Sequence, residues 1–213
     1  MRNTTRMAGI GLLVYVIGTT AGFLGVGAPG GTYHPQDVAK YVSPDHFWTS
    51  FGFAYVGALS LLGLMVFGYA ARALWPRVGD PIWALTTAAT AVGITGGFVA
   101  AGVVVSAAEG GLPVQSGVPH PVVYMFGEIG NLLALCAPDF FMGVVAILLA
   151  VRAGLPKWLR VWSVIAGVCG ILMPFYFTIP PYLLWALAFG TWLVVRGGRD
   201  RAAADRELHE SLV

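Results

Sequence analysis

The sequence predicts an all-α fold, an integral membrane bundle of six transmembrane helices with both termini cytoplasmic, and three observations lead there. Of the 213 residues 57% are hydrophobic and only 10% charged, against roughly 25% charged in an average soluble domain. Apolar runs cover 7–26, 48–71, 82–107, 121–151, 158–173 and 181–195, set against the ~20 residues that cross a 30 Å hydrocarbon layer. Basic residues gather on the cytoplasmic side of short loops. Arg2, Arg6, Arg72, Arg77, Arg152, Lys157, Arg160, Arg196, Arg199, Arg201 and Arg206 all fall on one side if both ends are cytoplasmic, and Lys40 alone lies outside. One domain over 1–196 and a short cytoplasmic tail over 197–213 follow. The net charge of +2 reflects this topology, and no basic groove with interleaved aromatics points to nucleic acid.

The first run follows Arg2 and Arg6 and ends in Gly25-Val26-Gly27-Ala28, a pattern shared with secretory leaders; it is read as a span. Between it and the second run lies a Gly- and Pro-rich outer loop, 27–47, carrying His34, Asp37, Asp45 and His46. A second outer loop, 108–120, follows the third run. The inner turns are short and repeat a pattern, Arg72-Ala-Leu-Trp-Pro76-Arg77 and Arg152-Ala-Gly-Leu-Pro156-Lys157. A duplicated hairpin explains it, as do basic stop signals with a Pro opening the next helix. Gly18-x-x-x-Gly22 and Gly93-x-x-x-Gly97 on the first and third helices let helices approach closely in lipid.

The fourth run carries the chemistry. Glu128 and Asp139 lie inside an otherwise unbroken apolar helix, where an acid costs roughly 2.5 to 3.5 kcal/mol on insertion scales. Counted from Arg152 at ~1.5 Å per residue, Asp139 is about 20 Å deep and Glu128 about 36 Å up, near the outer boundary. At ~100° per residue the two acids share a face, and Asn131 sits about 60° from Glu128 on the same stripe. Pro138 removes a backbone donor beside Asp139, so a kink or local opening is expected there. The fifth and sixth helices are short, and the same count puts Phe175 and Tyr182 about 22 and 21 Å above the inner basic residues, a recessed turn. Tyr55, Phe51 and Trp48 on the second helix, Tyr124 on the fourth, and Phe175, Tyr176, Tyr182 and Trp185 around the turn would wall an outward pocket floored near Asp139. Amphipathic rings also collect at membrane interfaces for their own sake.

Cofactor sites are not indicated. His34, His46 and His120 share the outer side but match no ligand spacing, so no metal is expected. No His or Lys lies in a helix core, which argues against bis-histidine haem and a retinal Schiff base. Cys136 and Cys169 lack CxxC spacing and read as buried thiols. An acid that burial keeps neutral, in a dry cavity whose aromatic faces stabilise positive charge by ~2 kcal/mol or more per ring, suits proton-initiated cyclisation of an isoprenoid. In that reading Asp139 donates the proton, and Glu128 and Asn131 relay or tune it.

The stretch Ala153-Gly-Leu-Pro-Lys-Trp-Leu-Arg-Val-Trp-Ser-Val-Ile-Ala-Gly167, with Pro174-Phe175 and Leu183-Leu184-Trp185, resembles the last two helices of a widespread group of small bacterial multi-helix membrane proteins, over about the last third of the chain. In size, helix count and intramembrane acids the whole chain is similar to the small actinobacterial membrane-bound terpene cyclases that act on prenylated indoles. That resemblance implies a bacterial cytoplasmic membrane, a lipid-like substrate, membrane lipid as the other partner, and protonation of a terminal alkene or epoxide by a buried acid. No motif is shared residue by residue, so Asp139 and Glu128 are assigned by depth. A proton- or cation-coupled carrier and a non-catalytic subunit of a membrane complex are the competing classes, and oligomeric state is open.

Overall fold

The computed structural model describes residues 2–27, 34–41, 43–117, 119–175 and 178–210, and their regular structure is helical throughout. In chain order the helices are α1 (Arg2–Val26), α2 (Pro35–Tyr41), α3 (Pro44–Ser60), α4 (Leu62–Leu74), α5 (Gly79–Gly117), α6 (His120–Asn131), α7 (Ala137–Arg152), α8 (Lys157–Ile171) and α9 (Ile179–Glu210). A π-helical segment, Leu132–Cys136, joins α6 to α7, and a 3-10 turn, Met173–Phe175, follows α8. Five stretches are long and apolar enough to cross a membrane: Asn3–Val26, Asp45–Leu74, Gly79–Ser106, Pro121–Arg152 and Ile179–Gly198.

Several expectations are corrected. The segment expected as a sixth span is α8, 15 residues long, which at ~1.5 Å per residue reaches about 22 Å and falls short of a 30 Å layer. The outer loop expected at 108–120 is helical to Gly117, and α9 runs on to Glu210 through the segment expected as a cytoplasmic tail. Part of the first outer loop is a helix, α2, opened by Pro35 with Asp37 in its first turn, a favourable placement for an acid. The second span is divided at Leu61, whose amide reaches back to Ala58 and whose neighbours α3 and α4 continue on either side.

Neighbouring helices run antiparallel. Gly197 faces Arg6 while Gly190 faces Gly9 and Leu13, so α9 descends along α1 and brings both chain ends to one end of the bundle. α1 likewise meets α3 and α4 at Gly22–Gly57 and Gly11–Gly63, and α7 meets α8 at Gly143–Gly167. In the last pair a methyl group on Gly143 would sit 2.7 Å from the Gly167 carbonyl, so the approach depends on the missing side chain.

The half of the bundle bearing the termini is packed solid. Leu12, Leu64, Phe67, Ile82, Met142, Leu149, Leu159, Trp185 and Phe189 form one buried cluster there. A column of rings runs down α9, with Trp185 stacked on Phe189 at 5.4 Å, Phe189 on Trp192 at 6.0 Å, and the Arg196 guanidinium 5.1 Å over Trp192. Among the described residues the far half holds a small cluster of Tyr41, Val104 and Val123. The short helix α8 and the start of α9 meet in a turn at 173–175 that contacts the π-helical segment, and α1, α3, α5 and α6 enclose the space beyond it. Large apolar side chains such as Ile17, Leu24, Tyr69, Phe98, Val151 and Val161 are exposed around the outside, a belt suited to hydrocarbon.

Candidate functional site

Asp139 is 3% exposed and faces the meeting point of α1, α7 and α9. The Tyr15 hydroxyl on α1 donates to its Oδ1. The Tyr182 hydroxyl on α9 adjoins the same carboxyl group and lies 3.3 Å from the Tyr15 hydroxyl. No Lys or Arg pairs with Asp139 among the described residues. One carboxyl and two phenols thus form a dry polar triad across three helices. Thr178, one turn before Tyr182, adds a buried hydroxyl with no hydrogen-bond partner among the described residues.

The local fold follows from Pro138. Lacking an N–H, it cannot bond the carbonyl one turn back, and its ring crowds that carbonyl. The helix responds by widening, and the Ala137 amide reaches the Leu132 carbonyl, five residues back. The expected opening beside Asp139 is therefore a π-helical turn, a distortion that often accompanies function. It also breaks the ~100° count on which a common face for Glu128, Asn131 and Asp139 rested. Asn131 turns toward α1, α3 and α5, Asp139 turns toward α1 and α9, and half-buried Glu128 joins neither group.

Above the triad lies a cavity of about 90 Å³ between α1, α3, α5 and α6. Thr19 and Leu135, each one helical turn beyond Tyr15 and Asp139, line it with Leu61, and Tyr41 and Val26 line its upper end. Gly22, Gly57, Gly93, Gly97, Ala54, Ala58 and Ala100 make the wall thin, and Phe23, Phe51 and Phe53 add rings. Asp139 is not on this surface; Pro138, which packs against Gly93 of the cavity wall, stands between.

The expected pocket residues therefore separate into three sets. Tyr182 and Trp185 join the buried core, with Tyr182 on the acid and Trp185 donating from Nε1 to Ser163 Oγ at 2.9 Å. Phe51 and Asn131 line the cavity. Trp48, Tyr55, Tyr124 and Phe175 are exposed on the outer surface, where Phe47, Phe51 and Tyr55 stack as a ladder along α3 at 5.7 and 6.2 Å; they do not wall a space above Asp139. Tyr176 lies outside the described residues. His46, expected near the mouth, caps α1: its Nε2 is 3.0 Å from the Val26 carbonyl, which also accepts from Ser50. A carbonyl only accepts, so Nε2 carries the proton.

Tyr15 was missed by the sequence reading although the signal was present. It stands about 20 Å along α1 from Arg2, as Asp139 does from Arg152 and Tyr182 from Arg196. No protein-family model, curated protein or solved structure matches the chain.

Proposed function

We propose that this chain is a multi-pass protein of the bacterial cytoplasmic membrane, with both ends cytoplasmic and α8 entering the layer without crossing it before α9 returns, and that it performs proton-initiated chemistry on an isoprenoid or other lipid-like substrate seated in the cavity. Asp139 is the proton source, and Tyr15 and Tyr182 hold its carboxyl. The orientation is supported by Arg2, Arg6, Arg72, Arg77, Arg152, Lys157 and Arg160, which all belong to the end with the termini.

The observation that carries the reading is the triad's place, one helical turn from Thr19 and Leu135 of the cavity lining and joined to it by the π-helical segment. Energetics argue in the same direction. An acid at this depth costs roughly 3 kcal/mol, whereas interhelical hydrogen bonds in membranes return ~0.6 kcal/mol each on average. Two such bonds offset less than half the cost, so packing alone would be served better by an apolar residue. A cavity of about 90 Å³ seats one end of a chain; folding a whole polyprenyl chain for cyclisation requires it to widen, and the irregular helix at 132–136 is where widening costs least.

Membranes containing the protein, incubated in deuterated water with a prenylated aromatic, test this. The expected result is a product carrying deuterium, with the rate at least ~100-fold lower in Asp139→Asn, the loss typical of removing a general acid. Equal product from Asp139→Asn, or none from the native chain, overturns it; proton flux in proteoliposomes without product points to a carrier instead.

One observation favours a second reading, a non-catalytic subunit whose triad pins three helices: Asp139 is closed over by two tyrosines and does not line the cavity. In that case Asp139→Asn retains the complex and its activity.

A further inference from the structure

Two glycines of the cavity have no packing reason to be glycine. A methyl group built on Gly57 would meet only Gly22 Cα at 3.6 Å, and one on Gly97 only Ala58 Cβ at 3.8 Å, both ordinary contacts. Gly93, by contrast, would press on Leu61 and Pro138 at 2.8 Å. Glycine in a helix interior costs up to ~1 kcal/mol relative to alanine; at Gly57 and Gly97 that cost leaves open volume along the cavity which a side chain would fill.

The polar groups of the wall are equally selective. Thr19 gives its proton to the Tyr15 carbonyl at 2.7 Å, and Ser50 gives its own to the Val26 carbonyl at 3.0 Å. Tyr41 is already engaged. Asn131 stands apart: its amide, half-buried one turn above Leu135, makes no hydrogen bond among the described residues. An amide left open against an apolar wall is costly until something pairs with it.

From these two observations we infer that the cavity is the seat for the hydroxyl end of a slender aliphatic or prenyl alcohol, with Asn131 as its specificity-determining residue. A hydroxyl both donates and accepts, so it can answer the amide N–H and C=O alike. A bare carbonyl engages the N–H alone, a carboxylate brings an uncompensated charge into an apolar space, and a plain alkane leaves both halves of the amide unsatisfied. Size selects a chain over a ring, since 90 Å³ is below the ~150 Å³ of an apolar cavity that admits benzene. The inference rests on the proposal above only in taking the cavity as the substrate seat, and it names what occupies it.

The test uses the purified full chain in detergent with a photoreactive long-chain alcohol carrying a diazirine, its cross-links mapped by mass spectrometry. Label is expected within 19–26, 54–61, 93–104 and 127–135, displaced by 1-decanol at least about tenfold more effectively than by decane or decanoic acid. Asn131→Leu should erase that tenfold preference, the size of one hydrogen bond. Gly97→Leu should abolish labelling at the cavity while thermal stability is kept, and Gly57→Ala should reduce it. Label spread evenly over the lipid-facing surface, or an Asn131→Leu protein that still prefers decanol, overturns the inference. Asp139→Asn should label as the native chain does, so loss of deuterium transfer with intact labelling separates failure of the chemistry from failure of the seat.

Discussion

At the scale of single residues, Asp139 is held by two phenols that are not equivalent. Tyr15 donates directly to Oδ1, and Thr19, one turn on along the same helix and lining the cavity, donates to its backbone carbonyl. Tyr15→Phe removes that donor and leaves a buried carboxyl short of a partner, a loss of about 1–3 kcal/mol. Asp139→Leu removes the acid itself and leaves two phenols 3.3 Å apart that can bond each other, so it should unfold at the same or higher temperature than Tyr15→Phe. Thermal unfolding in detergent checks the order; Tyr15→Phe proving the more stable of the two would mean that the carboxyl does not depend on its donor. Thr178→Val should be neutral or stabilising, since its hydroxyl has no protein partner to lose. If it retains stability and loses deuterium transfer, that hydroxyl belongs to the proton's route. Of this site the sequence singled out Asp139, because charge and depth are countable, and named Tyr182 only as a pocket wall and not as a partner of the acid. Tyr15 escaped because aromatic residues were weighed as pocket walls at the outer level, and a mid-helix tyrosine carries no local mark of the acid it will meet 124 positions later.

At the scale of elements, the decisive piece is the junction of α6 and α7. Hydropathy reads 121–151 as one helix, and Pro138 foretold that it would open; the form of the opening, a wide turn that lags the regular register, depends on backbone geometry and not on side-chain pattern. That lag is why a face counted at 3.6 residues per turn failed to hold Glu128, Asn131 and Asp139 together. Pro138→Ala restores the missing donor and should let the stretch close into a regular helix. The amide of Asn131 then rotates relative to Asp139 by a good part of a turn. The expected outcome is a protein as stable as the native chain, or more so, with photolabelling at the cavity sharply reduced; native labelling in a protein whose helix has closed would show that the wide turn is incidental. Across from it, Gly170 packs on the Asp139 carbonyl, where an added methyl would come within 2.6 Å. Gly170→Val should cost about 1–3 kcal/mol through overpacking, read as a lower unfolding temperature, and should disturb the triad through the backbone without touching its hydroxyls.

At the scale of the whole molecule, the bundle is thick at one end and thin at the other, and the cavity is a consequence of that taper. Six helical segments fill the half with the termini, and four continue beyond the level of Tyr15, Asp139 and Tyr182. The helical class was legible from apolar length, and the recessed turn from depth counts on both sides of it. Which residues enclose the resulting space was not legible, because it depends on where the turn between α8 and α9 falls. The taper makes a topological prediction that does not depend on the chemistry. With Cys136 and Cys169 replaced by alanine, single cysteines at positions 3 and 198 should react with a membrane-impermeant maleimide from the same side. A cysteine at Asp37 on α2 should react only from the opposite side. Pro174→Cys should react from neither, since the turn after α8 reaches only about 22 Å from the inner basic residues in a layer ~30 Å thick. Reaction of position 174 from the α2 side would mean that α8 and α9 cross fully, that the bundle is not tapered in the membrane, and that the cavity arises from something other than a hairpin that ends halfway.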